Sequence, residues 1–506
     1  MLSKIFSGTV IGLDGILIEV EVDVASKGFP GFTIVGLPDK AVGEAKERVR
    51  AAINNASFKI PDTRITVNLA PADIPKVGSA FDLPMAVGIL SASGTVNKEI
   101  LSDSLFFGEL SLKGEVRKVP GAISIALLAK SKKIKKIFVS RENLNEVILV
   151  DGIDVFPVDS LIDLILHLNE IKLIPPFPHR DFISLTKEEK YDYLFEDIKG
   201  QETAKRALEV AAAGFHNVLL KGPPGTGKTL LSRAFPSILP AMEKEEILEV
   251  TKIYSAAGLL NNQNFIASRP FRSPHHTTSR IGLVGGGSNP SPGEISLAHR
   301  GVLFLDEIPE FPRATLESLR QPLEDGFITI SRASGTLIFP SRFLLLAASN
   351  PCPCGYLGHE KKPCHCLPGT ILKYRKRLSG PLLDRIDLHI DVPSVSEEKL
   401  TSTILSESSQ KVRNRVVKAR EIQKKRFKGL KIFTNGEMSS VQIKKFCQLT
   451  PDAVSLLKQA ISKLYLSARS YFKTIKISQT IADLNGKEKI EASYVAEALQ
   501  FRSHDE

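Results

Sequence analysis

The stretch that decides the fold runs Val218-Leu219-Leu220-Lys221, then Gly222-Pro223-Pro224-Gly225-Thr226-Gly227-Lys228-Thr229, then Leu230-Leu231-Ser232-Arg233. A short apolar strand enters, a pattern G-x-x-x-x-G-K-T follows, and a helical segment leaves. Glycines in such a loop let backbone N–H groups turn inward around phosphates, and the start of the helix adds partial positive charge. Lys228 is placed to reach β- and γ-phosphates and Thr229 to ligate Mg²⁺, so residues 222–229 are expected to cradle ATP. The strand before and the helix after argue against a chance match in a Gly/Pro loop.

Further along the chain, Gly301-Val302-Leu303-Phe304-Leu305-Asp306-Glu307 is an apolar strand delivering two carboxylates at its end. Asp306 is expected to hold Mg²⁺ through water, and Glu307 to polarise an attacking water as general base. The next apolar run, FLLLAASN, ends in Asn350. Its amide could orient the same water; a turn-forming Asn before Pro351 is the alternative. His275-His276 suggests a metal site, but adjacent histidines do not easily face one ion, and a structural or substrate-facing role is expected.

The chain has 506 residues, enough for several domains, and no apolar run approaches a membrane span. Its start alternates apolar and polar residues, unlike a signal peptide, so a cytoplasmic protein is expected. Residues 1–165 read as mixed β and α: ILIEVEVDV, GFTIVGL and RITVNLA as strands, DLPMAVGILSAS and GAISIALLAKSKK as helices. Residues 166–194, rich in proline and charge at LIPPFPHRDFISLTKEEK, read as a linker. Strands alternating with helices over 195–394 predict a parallel α/β core. Residues 395–506 read as helical, with Thr450-Pro451 opening a helix whose face carries Val454, Leu457, Ile461 and Leu464, and Asn485-Gly486 closing the next.

Four of five cysteines, Cys352, Cys354, Cys364 and Cys366, crowd into one loop; the clustering suggests metal ligation more than disulfides, and four thiolates suit a tetrahedral Zn²⁺, although C-x-C spacing is less typical of such sites than C-x2-C. His359 and His365 are further ligand candidates, and four reduced thiols in a surface loop are the alternative. Cys447 is expected to be a core residue. The net charge of +11 favours a polyanionic partner, and residues 411–428 carry nine basic side chains against Glu421. A solvated helix surface is the alternative there.

The blocks FEDIKGQETAKRALEVAAAGFHNVLLKGPPGTGKT, RPFRSPHHTTSRIGLVGGG, PGEISLAHRGVLFLDEIPEF, LRQPLEDGFITISRASG, AASNPCPCGYLG, LSGPLLDRIDLHI and LSARSYFKTIKISQTIADL, in that order, resemble the magnesium-chelatase-like AAA+ ATPases. The whole chain is similar to the YifB/ComM family of that group. The resemblance implies an α/β AAA+ P-loop core, with a parallel sheet and flanking helices, and a C-terminal helical lid over 395–506. It implies a ring, expected to be hexameric. It makes Asn350 the first sensor, Arg385 an arginine finger acting on the neighbouring subunit, and Arg469 a second sensor touching the phosphate within its own chain. Ile198 and Gly200 fall near the adenine. A Gly-rich insertion at Gly285–Gly287, basic at Arg300, would suit a substrate-gripping loop, and a plain surface loop is the alternative.

Residues 1–165, around PKVGSAFDLPMAVGIL, resemble a Lon-like, ribosomal-S5-domain-2-like α+β domain. The nucleophile position falls on or beside Ala80, next to Ser79, and the lysine position falls near Ser124. With no lysine base, a binding or assembly module is expected rather than a peptidase. The family implies a DNA helicase or translocase promoting branch migration on single-stranded or branched DNA, in homologous recombination or natural transformation. The alternatives are a chelatase-type ATPase subunit driving metal insertion, a protein remodeller without protease activity, and a non-enzymatic nucleotide-gated scaffold. The intact Glu307 weighs against the last.

Overall fold

A computed structural model describes residues 1–178, 191–260, 265–287, 290–332, 335–359, 362–395, 398–399 and 406–502. The chain divides into two compact units, one of Met1–Lys187, Glu243–Ala267 and Ser331–Ile338, the other of Glu188–Met242, Ser268–Ile330 and Phe339–Glu506. Within the expected linker, 179–190 lie outside the described residues.

The first unit is a seven-stranded mixed sheet with helices. β1 (Leu2–Ile11) and β2 (Asp14–Val24) form a hairpin in register from Leu2 opposite Asp23 to Ile11 opposite Asp14, turned at Gly12. β3 (Gly31–Val35), α1 (Lys40–Asn55), β4 (Arg64–Ala70), α2 (Asp82–Ala92), β5 (Ser104–Phe107), α3 (Ala122–Ser131), β6 (Lys136–Ser140) and β7 (Asp154–Val158) complete it. The strand order is β3-β4-β2-β1-β5-β6-β7. Alternation in β2 buries Ile18, Val20 and Val22 on one face, where they join the core that α1 and α2 close. Every residue of α2 is buried: Leu83 to Leu90 is an unbroken apolar run, and Asp82 at its start is paired with Arg48 at 2.8 Å. The segments read as strands and helices from their patterns are β2, β3, β4, α2 and α3.

The second unit opens with α4 (Glu202–Gly214), β8 (Val218–Lys221) and α5 (Lys228–Ala234). The chain then passes into the first unit as α6 (Lys244–Ala256), which packs on α3: Ser255 accepts the Gly121 N–H at 3.0 Å, and Lys252 pairs with Asp14 at 2.7 Å. Back in the second unit follow β9 (Phe271–Arg272), β10 (Val302–Leu305), β11 (Leu344–Ser349), α7 (Pro368–Arg375) and β12 (Leu388–Asp391). These strands form an all-parallel sheet of order β9-β10-β11-β8-β12. β10 and β11 are buried throughout, as strands covered on both faces must be.

The C-terminal part is helical: α8 (Ser409–Arg426), α9 (Pro451–Leu464), α10 (Ala468–Leu484) and α11 (Ala492–Gln500). Thr450 caps α9 through its side chain, with Pro451 in the first turn, and Gly486 follows α10 with φ at 68°. The buried face of α9 is not the expected row. Ala453, Leu457 and Ala460 are buried, whereas Val454, Ile461 and Leu464 are exposed, because α11 packs on the small-residue side. Cys447 is a core residue whose thiol burial pushes up to about 12.

A buried carboxylate ties these helices together. Asp483 accepts hydrogen bonds from Arg426 at 2.8 and 2.5 Å, from Asn435 at 2.8 Å and from Gln479 at 3.1 Å. Asp483→Ala leaves Arg426 enclosed without its counter-charge and is expected to lower stability by about 3–5 kcal/mol. Denaturant unfolding followed by circular dichroism measures it, and a loss below about 1 kcal/mol would show the network to be dispensable.

Candidate nucleotide-binding site

β8 ends between β11 and β12, and the loop begins where three strand ends meet. A Cβ on Gly222 would lie 2.2 Å from the Val392 carbonyl oxygen, so only glycine fits. The Gly222 N–H donates to Ser349 O at 3.2 Å. Gly225 and Gly227 hold φ of 79° and 90°, the left-handed region that lets the loop curl before α5. Pro223, Pro224 and Thr226 fill the turn, with the Thr226 hydroxyl donating to Pro223 O at 3.0 Å.

Lys228, the first residue of α5, is buried. Its ammonium donates to the carbonyls of Gly222 and Pro223 at 2.7 Å each and to Asn350 Oδ1 at 3.2 Å. Burial lowers its pKa, and the carboxylates of Asp306 and Glu307 work in the opposite sense. The Thr229 hydroxyl donates to Asp306 Oδ2 at 2.8 Å, and Asp306 Oδ1 accepts the Glu307 N–H at 2.9 Å. Glu307 itself sits at φ 48°, ψ 48°, left-handed for a non-glycine, with its side chain exposed. Strain of this kind, costing about 1–3 kcal/mol, concentrates at functional positions. The arrangement gathers an ammonium, a hydroxyl bonded to a carboxylate, an exposed carboxylate and an amide at one edge of the sheet. That donor set fits a nucleotide triphosphate and its Mg²⁺.

The expected adenine segment lies near the loop. The Ile198 carbonyl accepts from Lys205 at 2.6 Å, Gly200 has φ of 63°, and Gln201 donates to Thr226 O at 3.2 Å and Pro393 O at 2.7 Å. Gln201 is a link that the motif reading passed over, although it sits inside the quoted block. A cavity of about 350 Å³ opens beside Gly222, Pro223 and Asn350, walled by Leu357, Tyr374 and His389.

The two arginines lie at the opposite edge of the sheet, where strands begin. Asn217, just before β8, donates to the Arg385 carbonyl at 3.0 Å. Arg385 donates to Pro381 O at 2.6 Å and to the Glu324 carboxylate, and Arg469 donates to the same carboxylate at 3.3 Å. Both line a cavity of about 560 Å³ with Lys473 and Lys476. The four residues of β8 span about 13 Å between these edges. Arg469 therefore stands with Arg385 and not beside its own Lys228. Glu324 was not singled out from sequence, although LRQPLEDG contains it.

Other expectations change. Arg300 is buried, paired with Glu437 at 3.3 Å and 4.5 Å from the Phe433 ring, so it does not arm a surface loop. Gly285 and Gly286 pair with Ser291 and Pro292 in a short hairpin, and 288–289 lie outside the described residues. The rings of His275 and His276 pack on each other at 4.0 Å. In α8, Arg415 pairs with Glu209 and Glu407 and Arg426 with Asp483, so part of the basic segment serves the fold. Lys411, Lys418, Lys425 and Lys428 are exposed. In the first unit, Ser79 donates to Glu109, Ala80 is buried, and Ser124 donates to Leu13 O at 2.8 Å.

The four clustered cysteines are brought together. Their sulfurs all lie within 4.8 Å of one another, with Cys352 3.4 Å from Cys354 and 3.7 Å from Cys364. His359 accepts the Lys362 N–H at 3.2 Å, and neither it nor His365 belongs to the cluster. The Tyr356 N–H and the neighbouring thiols pull Cys354 down to about 6. Among the described residues no helix is long and apolar enough to cross a membrane.

Comparison with known proteins places this arrangement in a family. Models for "Magnesium chelatase, subunit ChlI", "Subunit ChlI of Mg-chelatase" and "Magnesium chelatase, subunit ChlI C-terminal" match residues 194–400, 20–143 and 406–502. Competence protein ComM of Haemophilus influenzae is 44% identical over 508 residues, 99% of this chain and 97% of that protein. The uncharacterized protein YifB of Escherichia coli is 42% identical over 100% of this chain and 97% of its own. Likeness to a chelatase is more distant: the magnesium-chelatase 67 kDa subunit of Heliobacterium mobile is 27% identical over 44% of this chain. With a parallel sheet flanked by helices and a phosphate loop at its strand ends, the chain is an AAA+ α/β protein belonging to the magnesium-chelatase-like YifB/ComM family.

Proposed function

We propose that the chain is an ATP-hydrolysing motor that works as a hexameric ring on single-stranded or branched DNA. The observation that carries the ATPase reading is the bond of Thr229 to Asp306 with Lys228 and Glu307 beside it. Thr229 and Asp306 would hold Mg²⁺, which would supply charge neutralisation for the β- and γ-phosphates. Lys228 moves from loop carbonyls to phosphate oxygens. Glu307 accepts a proton from water as the water oxygen attacks the γ-phosphorus and the bond to ADP breaks. Asn350, already bonded to Lys228, orients that water.

Arg385 and Arg469, sharing Glu324, act together on the nucleotide of the neighbouring subunit. The exposed lysines of α8 supply phosphate contacts to DNA. The likeness to a competence protein extends the proposal to branch migration during recombination or natural transformation. A Zn²⁺ held by the four cysteines completes the cofactors, and a cytoplasmic location suits a DNA motor. The first unit is read as a Lon-like binding or assembly module, and the C-terminal helices as the lid. A chelatase-type ATPase subunit is the second reading, favoured by the family-model matches.

Turnover of ATP without DNA, with single strands and with a branched junction tests the central reading. Lys228→Ala and Glu307→Gln are expected to lower kcat by about 10²–10⁴-fold, with nucleotide binding retained in Glu307→Gln. DNA-stimulated turnover supports the motor on DNA; turnover indifferent to DNA favours the chelatase reading.

Mixing separates trans from cis action. Arg385→Ala or Arg469→Ala chains, each inactive alone, are expected to regain turnover when mixed with Glu307→Gln chains, since the hybrid interface joins an intact phosphate loop to intact arginines. If only the Arg385→Ala mixture recovers, Arg469 acts within its own chain. Glu324→Gln should lower kcat and leave the affinity for ATP unchanged, which a fluorescent-nucleotide titration checks.

A further inference from the structure

The four-cysteine loop touches the nucleotide site at two places. It begins two residues after Asn350, whose amide oxygen holds Lys228 at 3.2 Å. Gly355, at φ 81°, lies against the phosphate loop: a Cβ there would stand 2.7 Å from Pro224 Cδ. Leu357 and Gly358 also wall the cavity that Gly222 and Pro223 line.

The sulfurs themselves have the spacing of one tetrahedral ion. Zn–S bonds of about 2.3 Å give S···S edges of about 3.8 Å, and the sulfurs of Cys352, Cys354 and Cys364 stand 3.4, 3.6 and 3.7 Å apart. That is too tight to enclose a cluster of several irons. The cysteines form no disulfide, and Cys354, Cys364 and Cys366 each accept a backbone N–H, from Tyr356, Cys366 and Cys354 respectively.

We propose that a single Zn²⁺ bound by Cys352, Cys354, Cys364 and Cys366 is a brace for nucleotide binding, setting Asn350 from one side and Pro224 from the other. The inference rests on the nucleotide reading of Lys228 and adds a metal-dependent control of it. Closing the loop removes the freedom of the residues between the two cysteine pairs, and the ordering reaches the phosphate loop through Gly355.

The test uses the full chain, with metal content by mass spectrometry and affinity for a fluorescent ATP analogue. One zinc per chain is expected. Cys364→Ser should lose zinc and bind the analogue about tenfold more weakly. Gly355→Ala should keep zinc and still bind more weakly, because its Cβ pushes the loop off Pro224. This second variant holds the proposal to account if Cys364→Ser does not fold. Absence of zinc, or iron in its place, overturns the zinc site. Zinc whose loss leaves affinity unchanged, with Gly355→Ala also unchanged, overturns the brace. A wild-type chain that binds no analogue overturns the nucleotide reading itself.

Discussion

The organising constraint is the close approach of Gly222 to the end of β12. The loop leaves β8 through a gap that admits no side chain, with Val392 O on one side and Ser349 O bonded on the other. That gap exists because β8 lies between β11 and β12 in a parallel sheet, so three strand ends point the same way. From there the remaining geometry follows: α5 starts at Lys228, Thr229 meets the carboxylate that β10 delivers, and Asn350 follows directly on β11. Ligand sites at the carboxyl ends of such strands are a general property of open α/β sheets.

At the other end of its strands the same sheet gathers a second set of charged side chains. Chain direction puts the glycine-rich loop after the strands and Arg385 before one, so the two lie at opposite ends of the strands. Glu324 collects Arg385 and Arg469 at that second edge and holds its carboxyl below the ordinary range through the Arg385 hydrogen bond first. Cationic side chains elsewhere are taken up by ion pairs of the fold: Arg300 with Glu437, Arg415 with Glu209 and Arg426 with Asp483. The excess of positive charge is therefore a smaller guide to DNA than the total suggests.

The phosphate loop and the Asp306-Glu307 strand end were legible because backbone and side chains are dictated locally, within one strand, one turn and one helix. The strands of the first unit were legible for the same reason, through alternation in β2 and β4. What depends on long-range pairing was not. Arg300 reads as an exposed cation until Glu437, far along the chain, covers it, and no spacing in the sequence tells that Glu324 gathers Arg385 with Arg469. The row Val454, Ile461 and Leu464 has helical spacing, yet α11 packs on the alanine side. Spacing reveals that a helix is amphipathic; it does not reveal which neighbour arrives.

The path of α6 has a consequence for how the molecule can be divided. The chain leaves the second unit after Met242, buries Ile247, Val250 and Ile253, and returns at Ser268, between the two halves of its phosphate site. A cut at the linker would strip away the first unit but leave that helix behind, an apolar strip without its partner and prone to self-association. The two units are sequential only at their beginning. They are interleaved by genetic order, so neither could have been acquired, lost or exchanged as an intact cassette without carrying a piece of the other.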